Sequence, residues 1–163
     1  MKSKLKIGVS SCLLGQPVRY NGGHKYSQVV IDLLSDQFEP VPVCPEVEMG
    51  MGVPREPVQL AANNERVVGV ESGKDWTEAL NNFNSRQLKE LTNLSGFIFK
   101  SRSPSCAVRN APACNETDEK TSGLFARAFM QHFPHIPVID EEQLQDKFLR
   151  ENFIACVIGQ AGR

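Results

Sequence analysis

Three cysteines far apart in the chain, Cys12, Cys44 and Cys106, each follow a short apolar run: Leu5 to Ser10, Phe38 to Val43 and Gly96 to Phe99. If those runs are strands of one open α/β sheet, their carboxyl ends face a common crevice, where such folds bind ligands. Three thiols would then converge. Thiolates are soft donors that select zinc, copper(I) or iron-sulfur clusters, so the pattern points to a metal centre. The competing reading is packing, because unpaired cysteine is among the most buried residue types. A structural zinc site usually takes four protein ligands from closely spaced pairs such as CxxC, and no such pair occurs here. A 4Fe-4S cluster held by three cysteines would leave one iron open to act as a Lewis acid.

The elements that must position these residues follow from hydrophobic pattern. Leu5 to Ser10, Phe38 to Val43, Gly96 to Phe99 and Ile136 to Ile139 read as strands, with Pro40 and Pro42 placing the second at a sheet edge. Apolar spacing predicts helices from Ser27 to Leu34, from Trp76 to Leu94 and from Leu124 to Phe133. A last helix runs through Leu144, Phe148 and Ile154, with Asp140 as its cap. Val67 to Val70 suggests an extra strand or hairpin arm. Glu46 to Pro57, crowded with glycine and proline, reads as a rigid loop. Strands alternating with helices make βαβ units. The expected fold is a small doubly wound α/β domain spanning residues 1–163, a mostly parallel sheet of about four to five strands with helices on both faces. Asn110 to Lys120 is the expected excursion from it.

Bulk properties narrow the function. The 163 residues suit one ordinary domain, and 18 lysines and arginines against 19 acids give a net charge of −1. That balance offers no footprint for gripping a long polyanion, which argues against a nucleic-acid partner. No run of about 18 apolar residues would span a membrane, and the first residues lack the apolar stretch of a signal peptide. A cytoplasmic location is expected, where five cysteines, an odd number, make a poor disulfide framework.

The motifs around the cysteines carry a resemblance. Ser11-Cys12-Leu13-Leu14-Gly15 with Val18-Arg19-Tyr20-Asn21-Gly22-Gly23, Val43-Cys44-Pro45-Glu46 with Gly52 and Pro54-Arg55, and Lys100-Ser101-Arg102-Ser103-Pro104-Ser105-Cys106 occur in this order. Together they resemble the small bacterial thiouracil desulfidase family, formerly a domain of unknown function. The likeness covers most of the chain and weakens after Cys106. It implies a 4Fe-4S enzyme that removes sulfur from a thiolated pyrimidine without net redox change, giving uracil and hydrogen sulfide. Cys12, Cys44 and Cys106 fall where that family has its cluster ligands, and the open iron would take up the substrate's sulfur. Glu46 and Ser103 fall on the family's catalytic acid and serine.

The chemistry suits those roles. Hydrolysis of a C=S bond needs polarisation of sulfur and proton transfer to and from the ring and the attacking water. Glu46 could move the proton, unless it is a solvated loop carboxylate and Glu48 takes its place. Ser103 could donate to substrate or cluster sulfur, or could simply cap the turn before Pro104. Arg19, Tyr20, Asn21, Gly22 and Gly23 could line the pocket or form only a turn, while Arg55 and Lys100 could balance a negative cluster or be solvated. Cys156 is expected in the core. Cys114 is expected to be an exposed thiol, with a fourth ligand or a sulfur acceptor as alternatives. His24, His132 and His135 show no metal spacing with one another. Two other functions remain open: a zinc- or cluster-binding module that recognises a partner or modified RNA through Lys100, Arg102 and Arg109, and a sulfide carrier.

Overall fold

The computed structural model describes residues 4–16, 21–23, 25–34, 37–61, 65–103, 105–109 and 122–161. Arg19, Tyr20, His24, Cys114 and the excursion of Asn110 to Lys120 lie outside the described residues.

Four parallel strands form the main sheet: β1 (Leu5–Ser10), β2 (Phe38–Val43), β5 (Gly96–Phe99) and β6 (Val138–Asp140), in the order β2-β1-β5-β6. A separate antiparallel hairpin joins β3 (Val58–Ala61) to β4 (Arg66–Gly69). The helices are α1 (Gln28–Leu34), α2 (Pro45–Glu48), α3 (Thr77–Glu90), α4 (Leu124–His132) and α5 (Lys147–Ala161). The mixed α/β architecture expected from the sequence is therefore present, with four strands in its parallel sheet.

Every side chain of β5 is buried, as befits a central parallel strand covered on both faces. Its alternation divides the core. Phe97 and Phe99 pack with Leu80, Phe83, Phe125 and Phe129 of α3 and α4, whereas Ile98 joins Val30, Leu34, Phe153 and Val157 of α1 and α5. Helices thus cover both faces. The first layer is dominated by aromatic rings, with Phe97 stacked on Phe99 at 4.0 Å and edge-on to Phe129 at 5.0 Å. On the other edge, β2 pairs only with β1, so Pro40 and Pro42 sit in a strand whose outer side needs no donors.

Several boundaries differ from the sequence expectation. The Glu46 to Pro57 stretch opens with a helical turn, because Pro45 sets the first helical φ and Glu48 reaches back to the Cys44 amide at 2.8 Å. Helix α3 ends at Glu90 with Leu91 as its C-cap, short of the expected Leu94. Asp140 does not cap α5. It accepts the Gln143 amide at 2.8 Å within a 3-10 turn, and Asp146 caps α5 instead through the amides of Phe148 and Leu149. Cys156 is exposed, since α5 turns Phe153 and Val157 to the sheet and leaves position 156 off that face.

Close packing between β1 and β5 fixes the sheet centre. A Cβ on Gly8 would lie 2.3 Å from Cδ2 of Phe97, a fully buried ring already stacked on Phe99. Gly8→Ala is expected to destabilise the protein by about 1–3 kcal/mol, measured by urea unfolding. A loss within ~0.5 kcal/mol would mean that the ring can yield.

Candidate active site

The sheet order reverses direction between β1 and β5, the switch point at which open α/β sheets form a crevice. A cavity of about 1330 Å³ lies there, lined by residues following β1, β2, β5 and β6. Cys12, Cys44 and Cys106 all line it, together with Glu46, Ser103 and Arg55. All five site residues expected from the sequence therefore share one cavity. Asn21, Gly22 and Gly23 do not line it; the Asn21 carboxamide accepts the Gly23 amide at 2.9 Å, which makes the segment a turn.

Each cysteine is placed by its own strand end. Cys12 lies in a 3-10 turn directly after β1, and its carbonyl accepts the amides of Gly15 and Lys25. Gly15 adopts φ 89°, a left-handed conformation suited to glycine, and closes that turn. Cys44 caps α2. Cys106 sits beyond β5 in a segment pinned by α4: the Ala126 amide donates to the Ser105 carbonyl at 3.0 Å and the Gly123 amide to the Ala107 carbonyl at 2.7 Å.

The three cysteines are thiols, with Cys12 and Cys106 buried and Cys44 partly so. Burial pushes the Cys106 thiol strongly up in pKa; the neighbouring Cys44 and Cys12 push the same way, while hydrogen bonds from Ser10 and Ser105 oppose the shift. Burial also raises Cys44, with Glu46 and Glu48 adding to it and the Val47 amide and Arg55 opposing it. A cavity this hostile to bare thiolates is suited to a cationic inorganic core, which supplies the missing charge on binding. Among the described residues, no group of three His, Cys, Asp or Glu side chains is set to hold a metal ion. Three thiols lining one cavity are the soft donor type that an iron-sulfur core requires.

Glu46 and Glu48 have divided roles. Glu48 accepts the Cys44 amide at the start of α2 and does not line the cavity, so it is no substitute for Glu46. The Glu46 carboxylate stands 3.6 Å from the Arg55 guanidinium, whose side chain is only 5% exposed. Arg55 is itself tied to the Gly52 carbonyl at 2.9 Å.

Ser103 does cap a turn. Its Oγ accepts the Cys106 amide at 3.0 Å and the Ser105 amide at 3.3 Å, which leaves its proton to donate. The capping and donor roles are compatible.

Glu141 and Glu142, which follow β6, were not singled out by sequence pattern. Glu141 accepts from the Ser101 amide at 2.7 Å and hydroxyl at 2.8 Å, and pairs with Lys100 at 3.0 Å. Their signal is positional: they follow a strand end, as the cysteines do. Their carboxylates also pair with the basic residues considered for RNA. Arg102 pairs with Glu142, and Arg109 with Asp140 and Glu142, so Lys100, Arg102 and Arg109 face three carboxylates.

The 2-thiouracil desulfurase family matches residues 7–141, a span containing all three cysteines, Glu46 and Ser103. The chain belongs to that family. It is 33% identical over 150 residues to the uncharacterized protein YbbK of Bacillus subtilis (strain 168), covering 86% of this chain and 98% of the relative. It also resembles the solved structure of the 4Fe-4S-dependent thiouracil desulfidase TudS. That likeness has a TM-score of 0.73 and 32% identity, and covers 91% of this chain and 99% of the other. The desulfurase family resemblance read from the cysteine motifs is borne out. None of the helices in the described residues is long and apolar enough to cross a membrane.

The Cys106 segment provides a test of this packing. A Cβ on Gly123 would lie 2.5 Å from the Ser105 carbonyl carbon and 2.9 Å from the Cys106 nitrogen, both backbone atoms. Gly123→Ala is expected to cost about 1–3 kcal/mol and to increase alkylation of Cys106 mapped by mass spectrometry. Unchanged labelling would show that the segment does not depend on this contact.

Proposed function

We propose that this chain is an iron-sulfur thiouracil desulfidase that hydrolyses the C=S bond of a thiolated pyrimidine. The observation that carries the reading is that Cys12, Cys44 and Cys106 line one cavity with Glu46 and Ser103. Family membership and the likeness to TudS support it.

Cys12, Cys44 and Cys106 would hold a 4Fe-4S cluster. When bound, such a cluster with three cysteine ligands supplies an iron free to polarise the substrate's sulfur as a Lewis acid. In the reaction, water forms a C–O bond to the thiocarbonyl carbon and the C–S bond breaks. One water and one thiocarbonyl give one carbonyl and one hydrogen sulfide, so no external oxidant or reductant is consumed. Glu46 takes a proton from the attacking water and returns it towards the leaving sulfur. Arg55 keeps that carboxylate in the cavity and ready to accept. Ser103 donates its hydroxyl hydrogen to the substrate. A small uncharged base needs no basic surface, in keeping with the paired charges around Lys100 and Arg102. The cysteines remain reduced in a cytoplasmic setting.

Protein purified without oxygen is expected to be brown, with about four irons and four sulfides per chain, and to release sulfide from thiouracil. Colourless protein holding one tightly bound zinc would overturn the proposal. Alanine in place of Cys12, Cys44 or Cys106 should abolish the cluster, read by iron analysis and visible absorbance. Glu46→Gln should retain wild-type iron but lose turnover by about 100-fold or more, the usual scale for a lost general acid-base. Full activity in that variant would reject the assigned role.

A further inference from the structure

Beside the Cys106 sulfur, Ser105 is fully buried and its Oγ donates to that sulfur at 3.8 Å, a long contact suited to a sulfur acceptor. Ser103 Oγ, 3.2 Å from Ser105 Oγ, already accepts two amides, which leaves the Ser105 hydrogen for the sulfur. Ser10, buried at the end of β1, accepts the Lys100 amide at 2.9 Å and so ties β1 to the segment that carries Ser105.

We propose that Ser105 is a positioning residue for Cys106, giving its sulfur a hydroxyl hydrogen bond that raises the reduction potential of the cluster it holds. The inference rests on the cluster assignment made above. Donors to a coordinating sulfur stabilise the more negative reduced state, and hydrogen bonds to sulfur are among the main controls of cluster potential. Withdrawing charge from this thiolate also strengthens the Lewis acidity of the iron core, the property a non-redox enzyme uses.

The test uses anaerobically purified, full-length holoprotein without substrate. Ser105→Ala is compared with Ser105→Thr by iron analysis and by redox titration followed by electron paramagnetic resonance. The alanine variant should keep its iron while its one-electron reduction equilibrium shifts about tenfold towards the oxidised form, ~59 mV. Threonine should restore the wild-type value. Loss of the cluster in Ser105→Ala with retention in Ser105→Thr would overturn the inference, because the residue would then hold the cluster instead of tuning its potential. Unchanged potentials at full iron content would overturn it, as would equal disturbance by alanine and threonine. Wild-type protein lacking a 4Fe-4S cluster would instead sink the functional reading, and the inference with it.

Discussion

Parallel strand pairing is the constraint on which the site depends, because its cysteines and most of its polar groups are attached just past a strand's carboxyl end. Cys12 follows β1, Cys44 follows β2, the Lys100 to Cys106 segment follows β5, and Glu141 and Glu142 follow β6. In a parallel sheet these ends lie on one edge, so residues separated by up to 130 positions along the chain need no long loops to meet. The Ser10 hydroxyl bonded to the Lys100 amide joins β1 to β5 at this edge, and Glu141 bonded to Ser101 joins β5 to β6. A slip in strand register would separate these partners as well as disturb the core.

The electrostatics follow from the same convergence. Burial makes Cys106 and Cys44 harder to ionise, and the charges of Cys44 and Cys12 add to the effect at Cys106 as those of Glu46 and Glu48 do at Cys44. Around that chamber three of the five lining cations are matched: Arg55 with Glu46, Lys100 with Glu141, and Arg102 with Glu142. Most of the chamber's wall is therefore close to neutral. A bound metal core would become the dominant charge at its centre, and its own charge would govern the protonation of the thiols.

Much of this arrangement was legible in the sequence where short-range pattern determines structure. β1, β2 and β5 have the boundaries expected because each is a compact apolar run closed by polar, proline or glycine residues, and the prolines of β2 required the edge position it occupies. Three thiols after three such strands could be placed in one crevice by topology alone. β3 was not anticipated: its four residues include Gln59, and its pairing with β4 depends on a partner several residues away. The choice between Asp140 and Asp146 as helix cap also depended on tertiary placement, since both are good capping residues and the 3-10 turn at Gln143 uses the first. Cys156 shows the limit of composition: an apolar helix still has a solvent side, and the helix's rotation decides which residues occupy it. The Glu141 and Glu142 pairs required knowing that β6 lies beside β5.

The backbone at Arg102 shows how this edge sustains a costly conformation. Arg102 has φ 59°, in the left-handed region that non-glycine residues rarely enter and that costs about 1–3 kcal/mol. Its side chain is largely exposed, so the side chain's own packing cannot account for the conformation. The neighbours can. Ser101 is held by two hydrogen bonds to Glu141, while the Ser103 carbonyl and hydroxyl receive the amides of Ala107, Cys106 and Ser105. With both flanks fixed, residue 102 must reverse the chain within a single step, and the hydrogen bonds gained on either side offset the strain. The reversal carries Ser103 to the cavity wall and starts the turn that presents Cys106. An ordinary extended residue at this position would direct the chain away from β1 and carry Ser103 off the cavity wall.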